Sequence, residues 1–294
     1  MIRSLLLIFG VLMAMKGGIF NTVLSEISPY ISDPPSAMET GPEDQRADDR
    51  DFGSVTEGTE TYRGFLIGNV LHSPSDGDIH YNVYIPESYD GSEPYALYFT
   101  LPGYGGHYFQ GVAANLRAEE FGFEAQKYNE KMIIAAPQLY DCSESSADQT
   151  IALVEYFLHH YNIDASKVYA NGSSDGGETM SMVLGKRPEL FTAYLHGASQ
   201  WDGDYEVLAE SRTPVYLAIG RYDECYGSEP TQRAYDTLYA LYTQQGLTDR
   251  EIDALLVLDI KDSSYFSDRG VSNQHAGGLL FARDEEIMGW LFSQ

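Results

Sequence analysis

A chain of 294 residues, 43% of them hydrophobic, can bury one large core, and a single main domain is expected. Its 44 acidic residues against 18 basic ones give a formal charge of −26, a field that repels phosphate backbones and anionic membrane surfaces. Nucleic-acid binding is excluded on that ground, polyuronate chains are disfavoured, and neutral or cationic partners fit better.

The chain opens with Arg3 and an apolar run over residues 5–15, the pattern of a secretory signal peptide. A signal peptide over residues 1–20 and a secreted protein are therefore expected. The run is too short for a stable membrane span. Lys16-Gly17-Gly18 follows without a small-x-small cleavage site, so a frayed hydrophobic start or an uncleaved anchor is the alternative. Residues 21–60, with Pro34-Pro35, Glu43-Asp44 and Asp48-Asp49, hold few apolar side chains to offset ordering entropy and read as an acidic flexible linker. The catalytic domain is expected over residues 61–294.

From there short β-rich runs alternate with helical patterns, which predicts a mostly parallel sheet with helices on both faces. Strands are predicted over residues 64–71, 80–85, 95–101, 132–137, 168–171, 193–196, 214–219 and 255–260, the first two as an antiparallel pair. Helices are predicted over 148–160, 176–184, 229–242 and 284–292; Ile151, Val154, Phe157 and Leu158 give the first its apolar face. Only residues 198–213 separate two of the strands, so no large lid domain is expected and the site should be open.

After the strand at 95–101 comes Leu101-Pro102-Gly103-Tyr104-Gly105-Gly106, whose glycines let backbone approach a substrate; the Tyr104 N–H is the expected donor. A tight turn without function would use the same residues. Further along, Val168 to Asn171 runs into Gly172-Ser173-Ser174-Asp175-Gly176, a strand entering G-x-S-x-G and then a helix. A bare G-x-S-x-G is weak evidence; the strand and helix around it are what give it weight. Such a turn lifts Ser174 out as a nucleophile between small neighbours, and the Asp175 N–H at the helix start can stabilise a developing oxyanion.

In the α/β-hydrolase arrangement that this turn implies, the triad follows in the order Ser, acid, His. His275 alone among the seven histidines lies beyond His196 and is the expected base. The strand at 214–219 leads through Gly220 to Asp223, the expected acid, with Glu224 as rival. Trp201, Tyr205, Tyr104 and Tyr108 are candidate walls for sugar or aryl groups, although aromatics near a cleft are also ordinary core material. His107 is a candidate for the pocket mouth. Cys142 and Cys225 follow strands taken as neighbours, so one disulfide between them competes with two free thiols. No metal-spaced Cys/His cluster is present and no cofactor is expected.

Over about residues 79–294 the chain resembles the α/β-hydrolases that include feruloyl esterases, acetylxylan esterases and polyhydroxyalkanoate depolymerase-like esterases. The resemblance rests on Tyr81 to Pro86, Leu101 to Gly106, Asn162-Ile163-Asp164 leading to Val168-Tyr169, the Ser174 turn, Arg187 to Phe191, Asp223 and His275. It implies cofactor-free hydrolysis of carboxylic esters, with acyl or feruloyl esters of plant polysaccharide as expected substrate. The alternatives are a polyester depolymerase, a peptidase related to prolyl oligopeptidases, or an inactive hydrolase-fold binding protein. Two departures stand out: Pro102 replaces the usual His before Gly103 and removes a donor, and the Asp175 carboxylate must point away from an oxyanion.

Overall fold

The computed structural model describes residues 51–294. The expected signal peptide and all but residues 51–60 of the expected linker lie outside the described residues.

The sheet begins before residue 61. Strands β1 (Ser54–Thr56) and β2 (Glu60–Tyr62) both pair antiparallel with β3 (Phe65–Ser73). The described part of the stretch read as linker thus contributes four of its ten residues to the sheet edge. Three-residue strands carry too little alternation to be seen in a sequence. β3 continues antiparallel into β4 (Gly77–Tyr84), as expected.

Six further strands follow: β5 (Tyr95–Leu101), β6 (Met132–Pro137), β7 (Ile163–Ser173), β8 (Ala193–Gly197), β9 (Val215–Gly220) and β10 (Leu256–Lys261). The spatial order is β1-β3-β4-β6-β5-β7-β8-β9-β10, and every pair from β6 to β10 is parallel. Parallel neighbours need crossovers, which the helices supply. In chain order these are α1 (Ala114–Ala118), α2 (Phe121–Glu124), α3 (Glu144–His160), α4 (Asp175–Lys186), α5 (Tyr205–Ser211), α6 (Glu229–Gln244), α7 (Asp249–Leu255), α8 (Ser263–Ser267) and α9 (Glu285–Phe292).

Capping explains several of these boundaries. Asp204 accepts from the N–H groups of Glu206 and Val207 to start α5, and Asp284 does the same for Glu286 and Ile287 to start α9. Thr248 and Glu251 form a reciprocal capping box at α7.

Burial on both faces explains why the central strands read as unbroken apolar runs rather than alternating ones. On β5, Leu97, Phe99 and Leu101 enter the core layer that also holds Leu153, Phe157 and Met180 from α3 and α4. Ala96 and Tyr98 enter the opposite layer with Phe121 and Leu291 from α2 and α9. Each such large side chain contributes about 1.5–3 kcal/mol of hydrophobic burial. This rigid slab delivers the carboxyl ends of β5, β7, β9 and β10 to one edge, the usual place for a site in an open parallel sheet.

Candidate active site

At the end of β7 the chain reverses sharply into α4, and the turn residue is Ser174 with φ 53° and ψ −123°. A non-glycine residue there is strained, and the surrounding close packing is what holds it. A Cβ on Gly172 would meet the Gly176 carbonyl oxygen at 2.3 Å, and one on Gly176 would meet the Leu101 oxygen at 2.3 Å. Gly172 is therefore required for the turn to close on the start of α4, and Gly176 for the turn to sit against the end of β5.

Ser174 Oγ lies 3.1 Å from His275 Nε2. His275 Nδ1 in turn lies 2.9 Å from Asp223 Oδ2 and 3.1 Å from Oδ1. The Asp223 side chain is fully buried, and its Oδ1 also accepts from the N–H groups of Cys225 (3.0 Å) and Tyr226 (2.9 Å). The carboxylate is thus fixed before it meets the imidazole. Glu224, the rival acid, does something different, since its Oε2 accepts the His275 backbone N–H at 2.9 Å. Gln274 adds a second tie, accepting the Tyr222 N–H at 2.8 Å. Together these bonds dock the histidine loop onto the loop after β9.

Ser174 and His275 line a cleft of about 260 Å³ with Gly103, Tyr104, Glu119 and Leu279. A larger cavity of about 510 Å³, lined by residues such as Lys127, Arg283 and Glu285, contains no triad member. The triad rather than the volume locates the chemistry.

The Tyr104 and Asp175 N–H groups each open a helix, a 3-10 turn (Tyr104–Gly106) and α4 respectively, and so have no acceptor within it. The Asp175 carboxylate does turn aside, placing Oδ2 3.5 Å from His107 Nε2. His107 is buried, which lowers its pKa, and stands behind Asp175 rather than at the cleft mouth. Without a donor at Pro102, the Gly103 loop is held by Glu119, whose Oε1 accepts the Gly103 N–H at 2.8 Å.

Three expected substrate walls are corrected. Trp201 is 7% exposed, donates its indole N–H to the Gly203 carbonyl at 3.1 Å, and packs on Tyr194 and His196 in the core. Tyr205 stacks on Trp201 at 5.9 Å, and Tyr108 stacks on His80 at 3.6 Å; none of the three lines the cleft. Tyr104 does line it and is 62% exposed.

Sequence reasoning missed Tyr226 and Glu178. Tyr226 lies against the His275 ring at 5.5 Å and donates its hydroxyl to Glu178 Oε1 at 2.8 Å. The proximity of Tyr226 to Asp223 and of Glu178 to Ser174, one helical turn on, is a signal that could have found them. Glu119 offers none, since sixteen residues separate it from Gly103.

Of the two alternatives for the cysteines, the structure has the second: Cys142 and Cys225 are both free. Their strands, β6 and β9, are not neighbours, because β5, β7 and β8 lie between them. Among the described residues one group of metal-type ligands converges, Asp223, Cys225 and His275, with ligand atoms within 4.8 Å of one another. Two of the three are already bonded to each other as members of the triad.

Residues 140–263 match the prolyl oligopeptidase family. No curated protein matches the sequence. Among solved structures the chain is similar to a thermostable esterase, with TM-score 0.63 and 20% identity over 79% of this chain and 63% of that one. It is also similar to Est1E from Butyrivibrio proteoclasticus, with TM-score 0.52 and 11% identity over 78% of this chain and 98% of that one. The chain thus spans under two thirds of the thermostable esterase's length. The fold is the α/β-hydrolase fold, and at these identities the likeness to the two structures is one of fold.

Proposed function

We propose that this chain, an α/β-hydrolase by fold, is a serine hydrolase that cleaves carboxylic esters through an acyl-enzyme on Ser174. The observation that carries the reading is the unbroken relay from Ser174 Oγ through His275 to a buried Asp223, at 3.1 and 2.9 Å. In the first half-reaction Oγ attacks the ester carbonyl while His275 Nε2 takes its proton. The carbonyl oxygen becomes an oxyanion held by the N–H groups of Tyr104 and Asp175, with the positive end of the α4 dipole behind it. Collapse breaks the bond to the alcohol, which leaves with the proton from His275. Water then attacks the acyl-enzyme by the same route, and Asp223 keeps the imidazole in the required tautomer throughout.

For substrate we propose short acyl or hydroxycinnamoyl esters on a neutral polysaccharide met outside the cell, with polyester as the alternative. The cleft beside the exposed ring of Tyr104, the charge of −26 and the apolar N-terminal run support this. A second reading, a peptidase, is favoured by the prolyl oligopeptidase match over residues 140–263. Turnover of p-nitrophenyl acetate, methyl ferulate, acetylated xylan, hydroxybutyrate oligomers and a prolyl-p-nitroanilide peptide separates these readings. The ester reading expects kcat/KM on the acetate or ferulate esters at least about 10²-fold above the anilide; the reverse order makes the protein a peptidase.

A further inference from the structure

Glu119 follows α1 and sits beneath the loop that carries Gly103 and Tyr104; its own N–H bonds the Asn115 carbonyl at 3.1 Å, which ties its backbone to that helix. Glu119 as a residue is half-buried, but its Oε2 is closed off from solvent. Oε1 accepts the Gly103 N–H, while Oε2 is buried without a hydrogen-bond partner. No cation pairs with it among the described residues, and the neighbouring Glu120 is the one that engages Arg63, at 2.9 Å. A carboxylate buried without a counter-charge is strongly disfavoured relative to the neutral acid. Burial accordingly pushes the Glu119 carboxyl up to about 8, against the smaller opposing pull of the Gly103 N–H.

The position of this acid matters because Gly103 abuts the nucleophile. A Cβ on Gly103 would meet Ser174 Cβ at 3.0 Å and Oγ at 3.6 Å. Glu119 engages the Gly103 amide, leaving the Tyr104 N–H as the loop's donor toward the ester oxygen. Glu119 also lines the same cleft as Ser174 and His275. The titratable groups that face Glu119 are Tyr98 on β5, itself buried and shifted upward, and His275 across the cleft.

We propose that Glu119 is the positioning residue of the oxyanion loop and performs this role as a neutral carboxylic acid, so that losing its proton sets a negative charge behind the loop where the oxyanion must form. This rests on the serine-hydrolase reading above. Activity then falls on the alkaline side as Glu119 ionises, instead of holding a plateau.

The test compares the pH dependence of kcat and KM for p-nitrophenyl acetate, from pH 5 to 10, in wild type, Glu119→Gln and Glu119→Ala, alongside the ¹⁵N shift of the Gly103 amide. Wild type is expected to lose about tenfold or more in kcat around a midpoint near 8, with KM little changed, a modest share of the 10²–10³ that an oxyanion donor is worth. Glutamine keeps an acceptor for Gly103 and cannot ionise, so E119Q should lose the alkaline limb and recover most of the kcat that E119A forfeits. A merely structural glutamate would leave the limb in place. An unchanged alkaline limb in E119Q, or E119A with wild-type kcat, overturns the proposal. If wild type is not labelled by a fluorophosphonate, the hydrolase reading fails instead. The Gly103 shift then still decides the contact: it titrates near pH 8 in wild type and stays flat in E119Q, or the contact is wrong.

Discussion

Asp223 and Glu224 are adjacent in sequence and chemically alike, yet the structure gives them different work. Asp223 bonds the imidazole and selects its tautomer, whereas Glu224 holds only the backbone N–H of His275. Asp223→Asn should therefore cost on the order of 10⁴ in kcat, and Glu224→Gln, which keeps an acceptor, less than about tenfold, as steady-state ester hydrolysis will measure. Similar losses in the two variants would mean that the carboxylates share the imidazole. The aromatic residues separate in the same way. Tyr104→Ala retains its backbone N–H and should raise KM for aryl esters several-fold while sparing a minimal acetate. Trp201→Ala should instead destabilise the fold by about 3–5 kcal/mol in urea unfolding, with equal effects on both substrates. The triad was legible in the sequence because chain order and one remaining histidine constrained it. Wall residues were not, since whether Trp201 faces a cleft or the core depends on the packing of Tyr194 and His196, which nothing local records.

At the scale of elements, the strands were legible where burial on both faces produced a run with clear ends. Tyr95–Leu101 and Met132–Pro137 begin and end where the apolar pattern does. The short helices α1, α2, α5, α7 and α8 were not, because one or two turns cannot show a 3.6-residue period; α5 and α7 announce themselves only through the caps Asp204 and Thr248. Strand order was the costlier gap. Placing β6 beside β9 suggested a disulfide, but crossovers put three strands between them. Both thiols should therefore react with a disulfide reagent in the native protein. Cys225, exposed but with its thiol also raised by partial burial and the nearby Asp223, should react faster than Cys142, which is half-buried with its thiol pushed up to about 12 by burial and Glu178. An intact mass showing two protons lost and no titratable thiol would contradict this consequence of the strand order.

For the whole molecule, two buried groups set opposite limits on stability. His196 is held neutral by burial with its pKa lowered to about 4, so the unfolded chain takes up a proton first as pH falls below about 6.5, and stability is lost from there down to 4. Glu119 is raised to about 8, so the folded chain keeps a proton that the unfolded chain releases near 4.5, and stability declines as pH rises from there to 8. Self-repulsion at a formal charge of −26 adds to the alkaline loss and is relieved by salt. Thermal melts should peak at mildly acidic pH, roughly 5 to 6.5, and E119Q should flatten the decline above that range. A wild-type Tm still rising between pH 6.5 and 8 would contradict the assignment of Glu119 as a buried neutral acid. The whole scaffold converges on one strained turn after β7, which presents Ser174 as a nucleophile. Intact-mass and peptide analysis after treatment with a fluorophosphonate at pH 7.5 probes that nucleophile without reference to any substrate. One adduct per chain is expected, located on Ser174, absent in Ser174→Ala and slowed by orders of magnitude in His275→Ala; an unmodified wild type, or equal labelling of Ser174→Ala, would contradict the assignment.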